Sequence, residues 1–330
     1  MTPPRLVIIG QITVDDVVPA EPGPWQRQLG GNALYAAAGA RLVLPEGEIG
    51  IVSRLGSGID DAIEGDLQER GFRTAIVRKA EPHLVEWFLY DPDGGRRTVP
   101  KGGRFRAIQD PETERETYLA ALEAISPAPE DVPDTWRTAP AFHLAPQVWK
   151  RHAAHLDAIP PGALITLDPS PHYAGEWDLD MFARMVRDGL TFLPSEQELC
   201  GLIRSAASPA DAPSVAKSLV QRLGQHAVVK LGATGALYWQ DRGRHAPPAT
   251  AAVADPTGAG DGFCGAFAAA RALGWAHTAC VEAAIVAGAM MVECRGVAEA
   301  HDLSRAQFED RLAAYRAHGR SEDHRSAEHA

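Results

Sequence analysis

The residues best placed to do chemistry lie in "DPTGAGDGF" (Asp255–Phe263). Three glycines and two aspartates are packed between an apolar stretch and a helical pattern in which Phe263, Phe267 and Ala270 share one face. The spacing starts that helix near Gly258–Gly262. The first N–H groups of a helix have no intrahelical acceptor and point outward from the positive end of its dipole. With no bulky side chain in "GAG", an anion can approach the amides of Gly258, Ala259 and Gly260. A phosphate oxygen, or the charge developing on a transferring phosphoryl group, is the natural guest. Asp261 has two readings. A carboxylate in a first turn gains about 0.3–1 kcal/mol from the dipole, and beside a phosphate it can also take a proton from an attacking hydroxyl, worth about 10²–10⁴ in rate. The stretch is not a Walker loop, since no Gly-Lys-Ser/Thr follows, nor a dinucleotide fingerprint, since it lies far from the N-terminal βα unit.

Such a loop needs a frame, and the rest of the chain reads as one. "LVIIG" (Leu6–Gly10) is a short continuous apolar run, the mark of a strand buried on both faces. Strand patterns recur at Glu48–Gly56, Ala141–Ala145, Ala163–Pro169, Leu190–Ser195 and His226–Gly232. Helical patterns alternate with them at Asn32–Leu44, Asp60–Gly71 and around Glu112–Ile125. The last third is helical over Gly262–Leu273, Thr278–Glu293 and Ser304–Ala317. Two arms around "DPDGG" in Leu84–Pro100 predict a hairpin, and Gly235–Asp241 starts another. Repeated βα units imply a mostly parallel, doubly wound sheet flanked by helices, with ligands beyond the carboxyl ends of its strands.

Composition narrows the partners. The formal net charge of −11 over 330 residues argues against a nucleic-acid binder, though it leaves a phosphate-bearing small molecule open. No apolar run is long and uncharged enough to cross a membrane. "MTPPRLVIIG" enters a strand pattern directly, without a signal peptide's layout. Cys200, Cys264, Cys280 and Cys294 show no paired metal-ligand spacing and sit in apolar, helix-like contexts, which fits reduced core cysteines of a cytoplasmic protein. The polar end, "HGRSEDHRSAEHA", lacks apolar periodicity and reads as a mobile tail.

"DPTGAGDGFCGAFAAA" closely resembles the C-terminal signature of the PfkB, or ribokinase-like, carbohydrate kinase family. The resemblance continues in family order over roughly Arg5 to Asp302. "GQITVD" (Gly10–Asp15) is similar to the first-strand motif, whose aspartate, here Asp15, holds sugar hydroxyls. "GGNALYAA" resembles the paired-glycine substrate motif, with Gly30 and Gly31 bringing hydroxyls to the backbone and Asn32 able to donate and accept. "PSEQE" resembles the Asn-x-x-Glu motif, with Ser195 in place of the asparagine and Glu198 kept to organise magnesium-bound water. "KLGATG" resembles the nucleotide-side strand and turn, through Lys230, Gly232 and Gly235.

The resemblance implies an ATP-dependent transfer of a phosphoryl group to an alcohol of a sugar-like small molecule. Asp261 is then the base, the Gly258–Gly260 amides the anion hole, and magnesium the screen for the triphosphate. Several relatives also hold a monovalent cation near this loop, where Asp255 and Thr257 stand, so potassium activation is expected. One kinase domain over residues 1–320 is implied, with lid elements near 16–29 and 84–103 and a tail at 321–330, as monomer or homodimer.

The match also departs from the pattern. Tyr35 and Ile285 stand where relatives commonly carry asparagine, and "DVVPAEPGPWQRQL" is a short, proline-rich version of the lid segment. A reduced lid is expected, made of the Leu84–Pro100 hairpin and a loop around Trp25. The cluster Arg96, Arg97, Lys101, Arg104 and Arg106 is either a solvated hairpin arm or a grip on a substrate phosphate. Nucleoside kinase and sugar-phosphate kinase are alternatives on the same fold. A ligand-binding regulatory protein without turnover is the alternative of another class, which the retained Asp261 argues against.

Overall fold

The structure, a computed structural model, describes residues 2–18, 26–90, 96–97, 111–170, 179–196, 198–199 and 212–327. The apolar run forms β1 (Leu6–Ile9), fully buried. Leu6 and Ile8 enter one hydrophobic core while Val7 and Ile9 enter a second, the period-2 alternation of a strand covered on both sides. β2 (Thr13–Val18), β3 (Gln26–Gly30), α1 (Asn32–Arg41), β4 (Ile49–Ser57) and α2 (Ala62–Glu69) follow. Next come β5 (Arg73–Pro82), β6 (Val85–Tyr90), β7 (Arg96–Arg97) and α3 (Pro111–Ile125). The chain then alternates β8 (Ala141–Leu144), α4 (Trp149–Ala158), β9 (Leu164–Leu167), α5 (Leu179–Met185) and β10 (Leu190–Phe192). α6 (Ala212–Leu223) leads into β11 (Val228–Lys230), β12 (Ala236–Trp239) and β13 (Gly243–Ala246). Four helices close the fold: α7 (Ala259–Ala272), α8 (His277–Met291), α9 (Gly296–Asp302) and α10 (Arg305–Ala327).

The main sheet is six-stranded and parallel throughout, in the order β10-β9-β8-β1-β4-β5. From β1 the chain moves outward to β4 and β5, then returns to β8 on the other side of β1 and moves outward again. Strand order therefore reverses between β1 and β8, which pair from Leu6↔Ala141 to Ile9↔Leu144. Loops diverge at such a point and leave a crevice beyond the carboxyl ends, where ligands of open parallel sheets bind. α1, α7, α8 and α9 cover one face, and α4 and α6 the other. β11, β12 and β13 form a separate antiparallel sheet, joined to β10 and its following loop by the bridges Phe192↔Ala227 and Ser195↔Lys230.

The small second sheet, ordered β3-β2-β6-β7, corrects the expectation of a hairpin plus a loop. β2 pairs antiparallel with β3 and parallel with β6. Prolines dominate the sequence after Val18 and masked the strand before them. The hairpin arms do pair, Leu89 with Arg97 and Tyr90 with Arg96. The turn Asp91–Gly95, Trp25, Lys101, Arg104, Arg106 and Cys200 lie outside the described residues, and of Arg96 and Arg97 only the backbone is described. β5 was not anticipated, because an edge strand that is half exposed carries charges that interrupt its apolar run. α9 is too short for a periodicity to register. α10 runs past the expected end at Ala317 to Ala327, so helix continues through most of the stretch read as a tail.

Candidate active site

Two helices that begin at glycine adjoin at the carboxyl edge of the sheet. α1 starts after Gly31 (φ 101°) and α7 after Gly258 (φ 76°), and neither has a side-chain cap. The left-handed backbone of Gly258 is open to glycine and strained for residues with a Cβ. Space imposes a second condition there, since a Cβ on Gly258 would overlap the ring of Tyr35, one turn into α1. Tyr35 is a core residue, 2% exposed, and it packs under the loop. Ile285 is likewise in the core.

Further along, a Cβ on Gly262 would overlap Met291, one on Gly265 the carbonyl of Ala36, and one on Gly39 the carbonyl of Gly262. α1 and α7 therefore cross at backbone contact, which fixes their starts relative to each other. Gly260 differs. The nearest atom to a Cβ there would be Lys230 Nζ at 3.6 Å, an ordinary contact. Within "GAGDG" the outer glycines serve packing, and the middle one leaves space. The preceding loop is anchored by Ala254 N and Asp255 N, both donating to Val292 O at 2.7 and 3.1 Å. Thr257 N donates to Asp255 Oδ1 at 2.8 Å. Asp261 follows in the first turn, partly exposed.

A buried polar cluster stands next to Gly260. Lys230, at the end of β11, donates to Asp168 Oδ2 at 2.6 Å and Oδ1 at 2.7 Å, and to Cys264 Sγ at 3.4 Å. Cys264 Sγ in turn donates to Asp168 Oδ2 at 3.2 Å. Burial is the largest influence and would lower the Lys230 ammonium, but Asp168, Cys264 and Glu198 together outweigh it and hold the group well above its ordinary value. Burial pushes the Asp168 carboxyl up, against the pull of Lys230. The Cys264 thiol is raised well above its usual range, foremost by burial and then by Asp168, and stays protonated. Lys230, expected on the nucleotide side, is thus buried and paired to protein.

Ser195 and Glu198 sit beside this cluster. Ser195 Oγ accepts from Glu198 N at 3.1 Å, and Ser195 N donates to Glu198 Oε2 at 2.7 Å. This is a reciprocal capping box, a local use for the serine that replaces asparagine. Burial pushes the Glu198 carboxyl up to about 7, with the Lys230 charge pulling the other way. Gly232 (φ 56°) has open space around it, whereas a Cβ on Gly235 (φ 99°) would overlap the carbonyl of Ala246 across the hairpin.

On the other side of the crevice, Asp15 is buried and accepts from Thr13 Oγ1 at 2.7 Å. Gly30, the register partner of Thr13, leaves room for the Asp15 carboxylate, which a Cβ there would overlap. Asn32 is held by the scaffold. Its Oδ1 accepts from Gln11 N at 2.8 Å, and its Nδ2 donates to Pro146 O at 2.7 Å and to Gln11 Oε1 at 3.2 Å. It ties the segments that follow β1 and β8 together at the switch point, where the sequence made it a substrate contact. His143 is a core residue whose Nδ1 meets Thr166 Oγ1 at 2.9 Å, and burial lowers it to about 3. Gln147, just beyond β8, is fully buried, and neither amide atom has a partner among the described residues. Sequence reading missed Asp168, Cys264 and Gln147. The position of Asp168 at a strand's carboxyl end was the one available signal.

The sequence model of the pfkB family carbohydrate kinases matches residues 164–303. These residues resemble that family's sequence. They include Asp168, Glu198, Lys230 and the whole α7 loop, and the chain around them has the ribokinase-like fold. No curated protein matches the sequence significantly. Among solved structures, ribokinase from Cryptococcus neoformans var. grubii in complex with ADP superposes with a TM-score of 0.65 at 16% identity, covering 94% of this chain and 100% of that one. A nucleoside kinase from Burkholderia thailandensis in complex with inosine gives 0.68 at 16% identity over 94% and 98%. An Escherichia coli protein assigned as ribokinase II, in complex with ATP and Mg2+, gives 0.66 at 19% identity over 94% and 99%. Among the described residues no helix is long and apolar enough to cross a membrane.

Proposed function

We propose that the protein is an ATP-dependent kinase that transfers the γ-phosphoryl group to an alcohol hydroxyl of a sugar or sugar-like small molecule. The start of α7 carries this reading: amides opened by Gly260, with Asp261 in the same turn, at the carboxyl edge of a parallel sheet and within the stretch that matches the pfkB family model. Phosphoryl transfer asks a protein chiefly for positioning and electrostatic stabilisation. The amides of Gly258, Ala259 and Gly260 meet the charge on the transferring group. The Asp261 carboxylate accepts the hydroxyl proton of the acceptor. Asp15, Gly30 and Gly31 bind the acceptor's other hydroxyls at the edge of the small sheet, which acts as the lid. Asn32 shapes that wall through its bonds to Gln11 and Pro146. Ser195, Gly232 and Gly235 border the nucleotide.

Glu198 suits magnesium held through water. Among the described residues no group of three or more possible ligands forms a protein cage, and magnesium commonly keeps its waters and uses one or two carboxylates with substrate phosphates. When bound, it screens the triphosphate charge. Asp255 and Thr257 are the residues that would accompany potassium. A nucleoside acceptor is the second reading, favoured by the likeness to the nucleoside kinase.

ADP release measured with magnesium, with and without potassium, over sugars, polyols, nucleosides and sugar phosphates tests the proposal. We expect turnover on one class, reduced about 10²–10⁴-fold in Asp261→Asn with nucleotide binding intact. Saturable binding of an acceptor without turnover in wild type would point to the regulatory binder. A rate and nucleotide affinity indifferent to potassium would remove that ion from the scheme.

A further inference from the structure

The Lys230–Asp168–Cys264 cluster is more than a stable core requires. Desolvating an ion pair is costly, and well-packed apolar residues in its place are often equally stable or more so. Its geometry also commits the ammonium to protein partners. Lys230 Nζ donates to Asp168 Oδ1, Asp168 Oδ2 and Cys264 Sγ at 2.7, 2.6 and 3.4 Å. What the site draws from Lys230 is then place and charge. Its Nζ is in ordinary contact distance of the side-chain position that Gly260 leaves empty, and Cys264, which also bonds Asp168, belongs to the same helix as the loop amides.

We propose that Lys230 is a positioning residue that acts through Gly260: clamped by Asp168 and Cys264, it fixes the start of α7 and adds positive potential at the amides without touching the nucleotide. This rests on the kinase reading above. The ion pair holds the two sheets at this edge as well, since β9 and β11 belong to different sheets. Its charge acts at short range in a buried setting, where screening is weak. The aid goes to the charge that develops in transfer, more than to bound nucleotide, because the ground-state phosphates gain no hydrogen bond from it.

The test compares binding of Mg·ADP with binding of Mg·ADP plus aluminium fluoride, a mimic of the transferring group that needs no identified acceptor. Single variants that strand one buried charge risk unfolding. The main variant is therefore Asp168→Asn with Lys230→Met, and Lys230→Gln, which keeps donors for Asp168, is the second; thermal unfolding checks both. In wild type, fluoride should tighten binding. In the variants Mg·ADP affinity should stay as in wild type while the fluoride gain falls about tenfold to a hundredfold. A full fluoride gain in the folded variants would overturn the role and leave the pair merely structural. An equal loss for Mg·ADP alone would overturn it in favour of direct phosphate contact. No fluoride gain in wild type would instead sink the kinase reading, and this inference with it.

Discussion

α1 and α7 begin in the same way and then part. Each follows a glycine of positive φ, each lacks a side-chain cap, and their backbones touch where they cross. At α1 the first amides are taken by protein. Ala33 N donates to Gln11 O at 3.1 Å, and Leu34 N and Tyr35 N donate to Gly31 O, while the Asn32 side chain stitches Gln11 to Pro146. At α7, Ala259 N reaches Pro256 O only at 3.4 Å, and Gly262 N returns to Gly258 O at 2.8 Å. The capping box of Ser195 and Glu198 has no glycine. The glycine pattern thus says where backbone comes close to something, and the neighbours decide whether that something is protein or ligand.

The largest test of this contrast is a pair of methyl groups. Gly258→Ala should cost at least about 2 kcal/mol, from a strained backbone of about 1–2 kcal/mol and from overpacking against Tyr35 of about 1–3 kcal/mol. Gly260→Ala should leave urea stability unchanged or raised by up to about 1 kcal/mol, yet lower turnover. Equal stabilities for the two variants would mean that Tyr35 does not constrain the loop.

Asn32→Ala should come next, at about 1–3 kcal/mol, because it leaves buried groups of Gln11 and Pro146 unpaired. An altered acceptor KM with unchanged unfolding would move Asn32 from scaffold to ligand contact and erase the difference between α1 and α7.

The smallest effect concerns the capped start. Glu198 holds its proton more tightly in the folded chain than in the unfolded one, since its carboxyl is raised from 4.5 to about 7. Its contribution to stability is greatest at acid pH and is lost as the pH climbs through that window. Thermal unfolding from pH 4.5 to 8 should therefore fall less steeply for Glu198→Gln than for wild type, and parallel curves would show that the carboxyl is not raised.

Sequence reading reached far where one stretch carries its own physics. The apolar run of β1, the face of α7 and the order of motifs were enough to place a doubly wound parallel sheet and a glycine-led helix start. It failed where the signal is shared between distant segments. β2 was hidden by the prolines after it, β5 by charges on an exposed edge, and Asn32 looked like a ligand residue because its partners, Gln11 and Pro146, come from two different strand ends. Lys230 read only as part of the nucleotide-side strand and turn, because nothing near it in sequence announces Asp168.

By itself the sequence determined the parallel α/β architecture, the family likeness and the position of Asp261 in a first turn. Local periodicity and backbone permissiveness are properties of neighbouring residues, so they can be read from one chain. Only the tertiary structure decided that Gly258 yields to Tyr35, that Asn32 holds the switch point together, and that Lys230 is bound to Asp168 and Cys264. Burial and pairing are relations between residues remote in sequence, and they fix which polar groups are already satisfied by the fold and which remain for a substrate.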